Sequence, residues 1–159
     1  NDKNSADWMF QGELNFALGK YQQALTSLDR SVDLRQRQNI SPSPLLHNNR
    51  ALVALELAEY DRALQDVEMA ISIDENFAPA WRNKGLILET MDRNEESLAA
   101  YDRALSLDAQ DYNTWTNKGF SLYKLERYQE AKQSFEKALE INPNYQPAID
   151  NLKAIDSII

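Results

Sequence analysis

The chain has 159 residues, 43% of them hydrophobic, with four Gly, five Pro and no Cys. That is enough for one domain with a continuous core and excludes disorder, disulfides, thiolate metal sites and a cysteine nucleophile; no run approaches the roughly 18 apolar residues that span a bilayer. A formal charge of −8 opposes phosphate backbones and anionic membranes, which need clustered Lys and Arg, so neither nucleic acid nor membrane is an expected partner.

Scarce Gly and Pro beside abundant Ala, Leu, Glu, Asp, Gln and Lys predict helices joined by short turns. The sequence starts at Asn1 without a basic and apolar leader, which leaves open a signal peptide already removed or further repeats upstream. Trp8, Gly12, Tyr21, Ala24 and Leu28 mark a first helical hairpin, with Ser5 as its N-cap and Gly19-Lys20 as its turn. A Ser/Pro stretch, Asn39 to Ser43, reads as a lengthened loop. From Pro44 a second hairpin carries His47, Ala51, Tyr60, Ala63, Val67, Ala70 and Ile71.

The repeat is plainest further on. Trp81-Arg82-Asn83-Lys84-Gly85 returns as Trp115-Thr116-Asn117-Lys118-Gly119 after 34 residues, and Tyr101-Asp102-Arg103-Ala104-Leu105 returns as Phe135-Glu136-Lys137-Ala138-Leu139 at the same interval. Pro79, Pro147 and Asp111 supply helix starts, and Asn142-Pro143 closes the last full unit. Units therefore run over 5–38, 44–77, 78–111 and 112–145, with an insertion at 39–43. Ile149, Leu152, Ile155 and Ile159 then recur at spacings of three and four, predicting an amphipathic closing helix over 146–158.

These residues resemble the tetratricopeptide repeat, which places Trp at position 4, small residues at 8, 20 and 27, aromatics near 17 and 24, and Pro at 32. The resemblance implies an all-α fold, a right-handed α-solenoid of antiparallel helix hairpins forming a single domain. Gly12, Ala51, Gly85 and Gly119, with Ala24, Ala63, Ser97 and Ala131, provide the close approach between paired helices. Trp8, Trp81, Trp115, Leu28, Val67, Tyr101 and Phe135 are expected to fill the core between them, so Trp81→Ala should be costly. His47, Asn94 and Ala109 depart from the pattern and predict local softening.

Position 7, usually Leu, is Arg50, Lys84 and Lys118, while position 25 is Asp29, Glu68, Asp102 and Glu136, which predicts ion pairs along the helix surface. No nucleophile, base and orienting group assemble, and no phosphate or dinucleotide loop is present. The lone His47 occupies a packing position, and Glu95-Glu96, Asp74-Glu75 and Glu59-Asp61 lie at turns and helix starts. We expect no catalytic residue, metal site or cofactor.

By the resemblance, the first helix of each unit lines a concave face. There Phe10, Asn49, Leu52, Arg82, Asn83, Leu86, Asn117, Phe120, Tyr123 and Lys124 form a candidate peptide-binding surface. Asn49, Asn83 and Asn117 recur as an amide ladder able to pair with a peptide backbone, or they reflect shared ancestry of duplicated units. Removing Asn83 should accordingly change stability little. The family's carboxylate clamp needs Lys at position 5 and Asn at position 9 of the first repeat; Met9 and Glu13 stand there instead and argue against that ligand. The expected function is a non-enzymatic interaction module for an extended segment or helix of a partner protein. Its runner-up is a structural spacer or self-association unit joining copies as a homo-oligomer. Localisation is open, with a slight lean to the cytoplasm and a prokaryotic flavour.

Overall fold

The computed structural model describes residues 4–158. Among them the chain forms α1 (Ser5–Ala17), α2 (Tyr21–Arg37), α3 (Pro44–Glu56), α4 (Tyr60–Ile73), α5 (Ala78–Thr90), α6 (Asn94–Leu107), α7 (Tyr112–Lys124), α8 (Tyr128–Ile141) and α9 (Gln146–Asp156), with no strand. The all-α class and the paired helices follow the sequence expectation. Two compact units divide after Asn83, inside α5.

Each hairpin turns by one device. At the end of α1, Gly19 N–H donates to Phe16 O and Lys20 N–H to Asn15 O, the paired bonds of a Schellman motif, with Gly19 at φ 70°. Ala58, Asp92 and Glu126 take the same left-handed conformation at the equivalent position, φ 58–59°, with the same pair of bonds. The helix starts mostly follow the sequence: Ser43 and Asp111 cap α3 and α7, and Pro44 opens α3. Ser5 is a correction. Asn4 is the N-cap of α1, in a capping box with Asp7, while Ser5 is buried and its carbonyl accepts from Ser31 Oγ at 2.7 Å.

The insertion is divided between helix and loop. α2 has 17 residues where α4, α6 and α8 have 14, so three of the five extra residues extend the helix. Asn39 then turns at φ 54°, and Arg35 holds the loop by donating to Ser41 O.

In the first unit, Ala24, Leu25, Leu28 and Val32 of α2 form a buried cluster with Leu46 and Val53 of α3, and Met9 and Phe16 of α1 pack against it. A Cβ on Gly12 would stand 2.6 Å from Leu28, so the first hairpin closes only over glycine at this position. The second unit repeats the pairing: a Cβ on Gly119 would meet the Phe135 ring at 2.6 Å, and one on Gly85 would overlap Tyr101. In the second hairpin, Ala51 goes with the smaller Val67, both fully buried. Small and large side chains are matched within each hairpin, which is why the four units tolerate different pairs.

Leu28, Val67, Tyr101 and Phe135 are core residues, but the tryptophans are not. Trp8, Trp81 and Trp115 are half-buried. Trp81 Nε1 donates to Glu75 O at 2.9 Å and Trp115 Nε1 to Ala109 O at 3.0 Å, so each ring fastens the connection that precedes its helix. At the C-terminus, Ile155 and Leu152 of α9 pack on Leu98, Leu122, Ala131 and Phe135. Ile159, placed on the same stripe by its spacing, lies outside the described residues.

Candidate functional site

Two of the position 7 cations, Arg50 and Lys118, pair with the position 25 acids Asp29 and Asp102, as the charge pattern predicted. In the first unit Arg50 Nε donates to both oxygens of Asp66, at 2.9 and 2.8 Å, and Nη1 reaches Asp29 at 3.2 Å. Arg62 closes on Asp29 at 2.5 Å, and His47 Nδ1 lies 3.3 Å from Asp66, whose side chain is 3% exposed. Burial alone would raise the Asp66 carboxyl, but hydrogen bonds from His47 and Arg50 hold it below the ordinary carboxylate range. His47 is thereby a structural partner of Asp66. In the second unit Lys118 Nζ is 2.6 Å from Asp102.

The first-helix faces carry the remaining chemistry. In the first unit an open cavity of about 300 Å³ is lined by Gly12, Glu13, Phe16 and Leu28 on one side and Leu45, Asn49, Leu52 and Val53 on the other. Its lining is mainly apolar, and its size suits one or two large side chains. Asn49 Nδ2 donates to Glu13 Oε1 at 2.8 Å across its mouth, tying α3 to α1. Phe16 packs on Tyr21 with ring centroids 5.6 Å apart.

In the second unit Phe120 and Tyr123 stack at 6.4 Å and 17°, Tyr123 meets Tyr128 at 5.7 Å, and both Phe120 and Tyr123 are 37% exposed. Lys124 Nζ lies 5.2 Å over the Phe120 ring, 3.9 Å from Asp92 and 3.3 Å from Glu89 O. Beneath them Glu89, 8% exposed, accepts from Tyr101 Oη and Ser121 Oγ, each at 3.1 Å, and Ser121 in turn accepts from Ser97. Burial pushes the Glu89 carboxyl up, against the opposing effect of those hydrogen bonds and of Lys124.

The expected site residues fall into distinct environments. Asn49 and Leu52 line the cavity; Phe10 is 67% exposed on α1 outside it; Arg82 and Leu86 are half-buried. Phe120, Tyr123 and Lys124 form the second-unit strip. The asparagine ladder is not uniform. Asn117 is half-buried and its side chain makes no hydrogen bond among the described residues, Asn49 is tied to Glu13, and Asn83 is only 2% exposed, its amide donating to Asn48 Oδ1 at 2.8 Å. That burial corrects the expectation of an accessible amide at Asn83. The cavity also recruits Glu13, Phe16 and Leu45, which lay outside the candidate set although all three belong to first helices of their repeats.

Among the described residues no group of three His, Cys, Asp or Glu is arranged to hold a metal ion, and no helix is long and apolar enough to cross a membrane. Models of the tetratricopeptide repeat match residues 11–76, 78–111 and 112–145.

The chain belongs to the tetratricopeptide repeat family.

Tetratricopeptide repeats are protein–protein interaction modules, and this chain is of that class. A comparison with curated protein sequences gave no match. Among solved structures, YrrB, described as a TPR protein with an unusual peptide-binding site, is 18% identical with a TM-score of 0.78, over 94% of this chain and 74% of its own. A chain of the APC/C hetero-tetramer Cut9-Hcn1 is 22% identical with a TM-score of 0.87, over 96% of this chain and 30% of that one. MamA from Desulfovibrio magneticus RS-1 is 14% identical with a TM-score of 0.82, over 98% and 85%. At these identities the likeness is one of fold.

Proposed function

We propose that the chain is a non-catalytic docking module that receives an extended segment or helix of a partner protein along the first helices of its repeats. The observation that carries this reading is the open apolar cavity between α1, α2 and α3, built from repeat positions that pack hairpins yet leave Leu52, Phe16 and Leu45 facing a vacant space. The exposed Phe120 and Tyr123 rings supply a second apolar surface on α7. Affinity for exposed backbone would come from Asn49 within the first unit and from Asn117 within the second, and anchoring from the apolar first-helix side chains of each. YrrB, similar in fold, is described as carrying a peptide-binding site, which favours this use of the family scaffold.

Pull-down from extracts tests it, with wild type beside an Asn49→Ala/Leu52→Ala/Asn117→Ala/Phe120→Ala variant of matched helicity. Partners retained by wild type and lost by the variant support the reading; an unchanged set of partners overturns it.

One observation favours self-association as a second reading. Phe10 and Leu14 of α1 and its C-cap Leu18 recur at intervals of four and are 67%, 44% and 58% exposed. Light scattering across a dilution series decides it: a dimer dissolved by Phe10→Ser/Leu14→Ser supports it, and a monomer at every concentration excludes it.

A further inference from the structure

The charged residue that lines the first-unit cavity is the acidic Glu13, and helix spacing on α3 places a second carboxylate, Glu56, beyond Leu52. Glu13 is exposed and its carboxylate accepts one bond, from Asn49, leaving most of its roughly four acceptor positions to solvent. Glu56 is exposed on α3, seven residues past Asn49 and four past Leu52, and so on the same helical face. At about 1.5 Å per residue it stands roughly 10 Å along the axis from the Asn49 end, with Leu52 between. Its carboxylate lies against Tyr21, whose phenol it holds above the ordinary tyrosine value, chiefly by its charge and then with burial and hydrogen bonding. Tyr21 packs in turn on the cavity residue Phe16.

Among the described residues neither glutamate has an ion-pair partner, while the neighbouring cations Arg50 and Arg62 are committed to Asp66 and Asp29. The acidic rim is particular to this unit. Glu13 stands at position 9 of the first repeat, where the others have Leu52, Leu86 and Phe120, and Glu56 at position 13 of the second, where the others have Ala17, Thr90 and Lys124.

We propose that the first-unit cavity takes the apolar side chain of a basic partner segment, in which Lys or Arg residues flank a Leu-, Ile- or Phe-type anchor and pair with Glu13 and Glu56. This rests on the docking reading above and adds the chemistry of its ligand. A separation of roughly 10 Å corresponds to about three residues of extended chain at ~3.3 Å each, which sets the spacing of the two cations. The formal charge of −8 attracts such a segment at longer range and repels an acidic one. Because both rim carboxylates are solvated, the apolar anchor provides most of the affinity, and the charges select among anchors.

The experiment is selection of a random twelve-residue peptide library displayed on phage, on the full chain and on an E13Q/E56Q double variant. Glutamine keeps the shape and, at position 13, an acceptor for Asn49. The expected result is enrichment of peptides with an apolar anchor flanked by Lys or Arg. Synthetic copies should bind about tenfold more weakly to the double variant and progressively more weakly as NaCl is raised. Enrichment of neutral or acidic peptides, or of basic ones that bind E13Q/E56Q unchanged, overturns the proposed chemistry and leaves the docking reading in place when L52A abolishes their binding. Failure to enrich any sequence over the uncoated support overturns both.

Discussion

The side-chain amide of Asn83, in the middle of α5, donates to Oδ1 of Asn48 on α3 at 2.8 Å, and both residues are buried. Removing the donor strands a buried acceptor, a loss of about 1–3 kcal/mol, against which the better helix propensity of alanine returns at most about 0.7 kcal/mol. Asn83→Ala is therefore expected to lower stability measurably, and Asn83→Ala/Asn48→Ala to lose less than the two single substitutions together. Urea denaturation of the four proteins measures the coupling; strict additivity would show that the amides do not act as a pair.

This pair marks where legibility in the sequence stopped. The 34-residue interval was readable because the hairpin contact is local: Gly119 needs Phe135 and Gly12 needs Leu28 at a fixed separation within each unit, so the pattern repeats along the chain. Ion pairs between Arg50 and Asp29 and between Lys118 and Asp102 were readable for the same reason, as opposite charges at constant offsets. The three asparagines look identical in sequence, yet their environments depend on what the adjacent repeat offers. Asn83 finds Asn48; the residue equivalent to Asn48 one repeat earlier is Met9, which has no amide, and Asn49 turns to Glu13. Likewise the cavity needs Phe16 and Leu45 from different helices, and no single-helix periodicity brings those together.

Ala58 holds the left-handed hairpin position that Gly19 fills in the first repeat. For a residue with a Cβ this conformation costs about 1–2 kcal/mol, while glycine adds about 0.5–1 kcal/mol of unfolded-chain entropy. Ala58→Gly is expected to stabilise by roughly 0.5–1 kcal/mol. Gly19→Ala should lose a similar amount, and because nothing lies within 4 Å of the Cβ it would add, the effect is purely one of backbone conformation. Thermal melts of the two variants should move in opposite directions; a fall for Ala58→Gly would contradict the assignment of strain.

Asp66 is the centre of the polar network joining α3 to α4 and, through Arg50 and Asp29, to α2. Asp66→Asn leaves Arg50 with one carboxylate in place of two, and the expected loss is about 3 kcal/mol, the lower end for a broken buried pair because Asp29 remains. The pH dependence follows from the lowered carboxyl: its contribution is complete above the ordinary aspartate value of about 3.9 and disappears as pH falls through the lower folded value. The stability difference between wild type and Asp66→Asn should therefore be constant from neutral pH to mildly acidic pH and shrink only below about pH 4. A difference that already closes at pH 6 would contradict a lowered Asp66 carboxyl.

Glu89 has the opposite linkage. Its folded carboxyl is raised by burial, so its neutral form is the one the fold favours, and that contribution is complete below the ordinary glutamate value and lost as pH rises through the folded one. Tyr101, Ser121 and Lys124 oppose that effect by favouring the charged form. Glutamine can accept from Tyr101 and Ser121 through one oxygen without the charge. Glu89→Gln is thus expected to be more stable than wild type at pH 7, with the advantage fading as pH is lowered toward the ordinary glutamate range. Lys124, which donates to Glu89 O and lies over Phe120, loses a nearby counter-charge in that variant, so its hold on the exposed Phe120–Tyr123 strip weakens. Denaturation at pH 7 and pH 4, with a parallel measurement of partner capture, separates the two effects. Equal stability at both pH values would show that the Glu89 carboxyl titrates in the folded protein as it does in water.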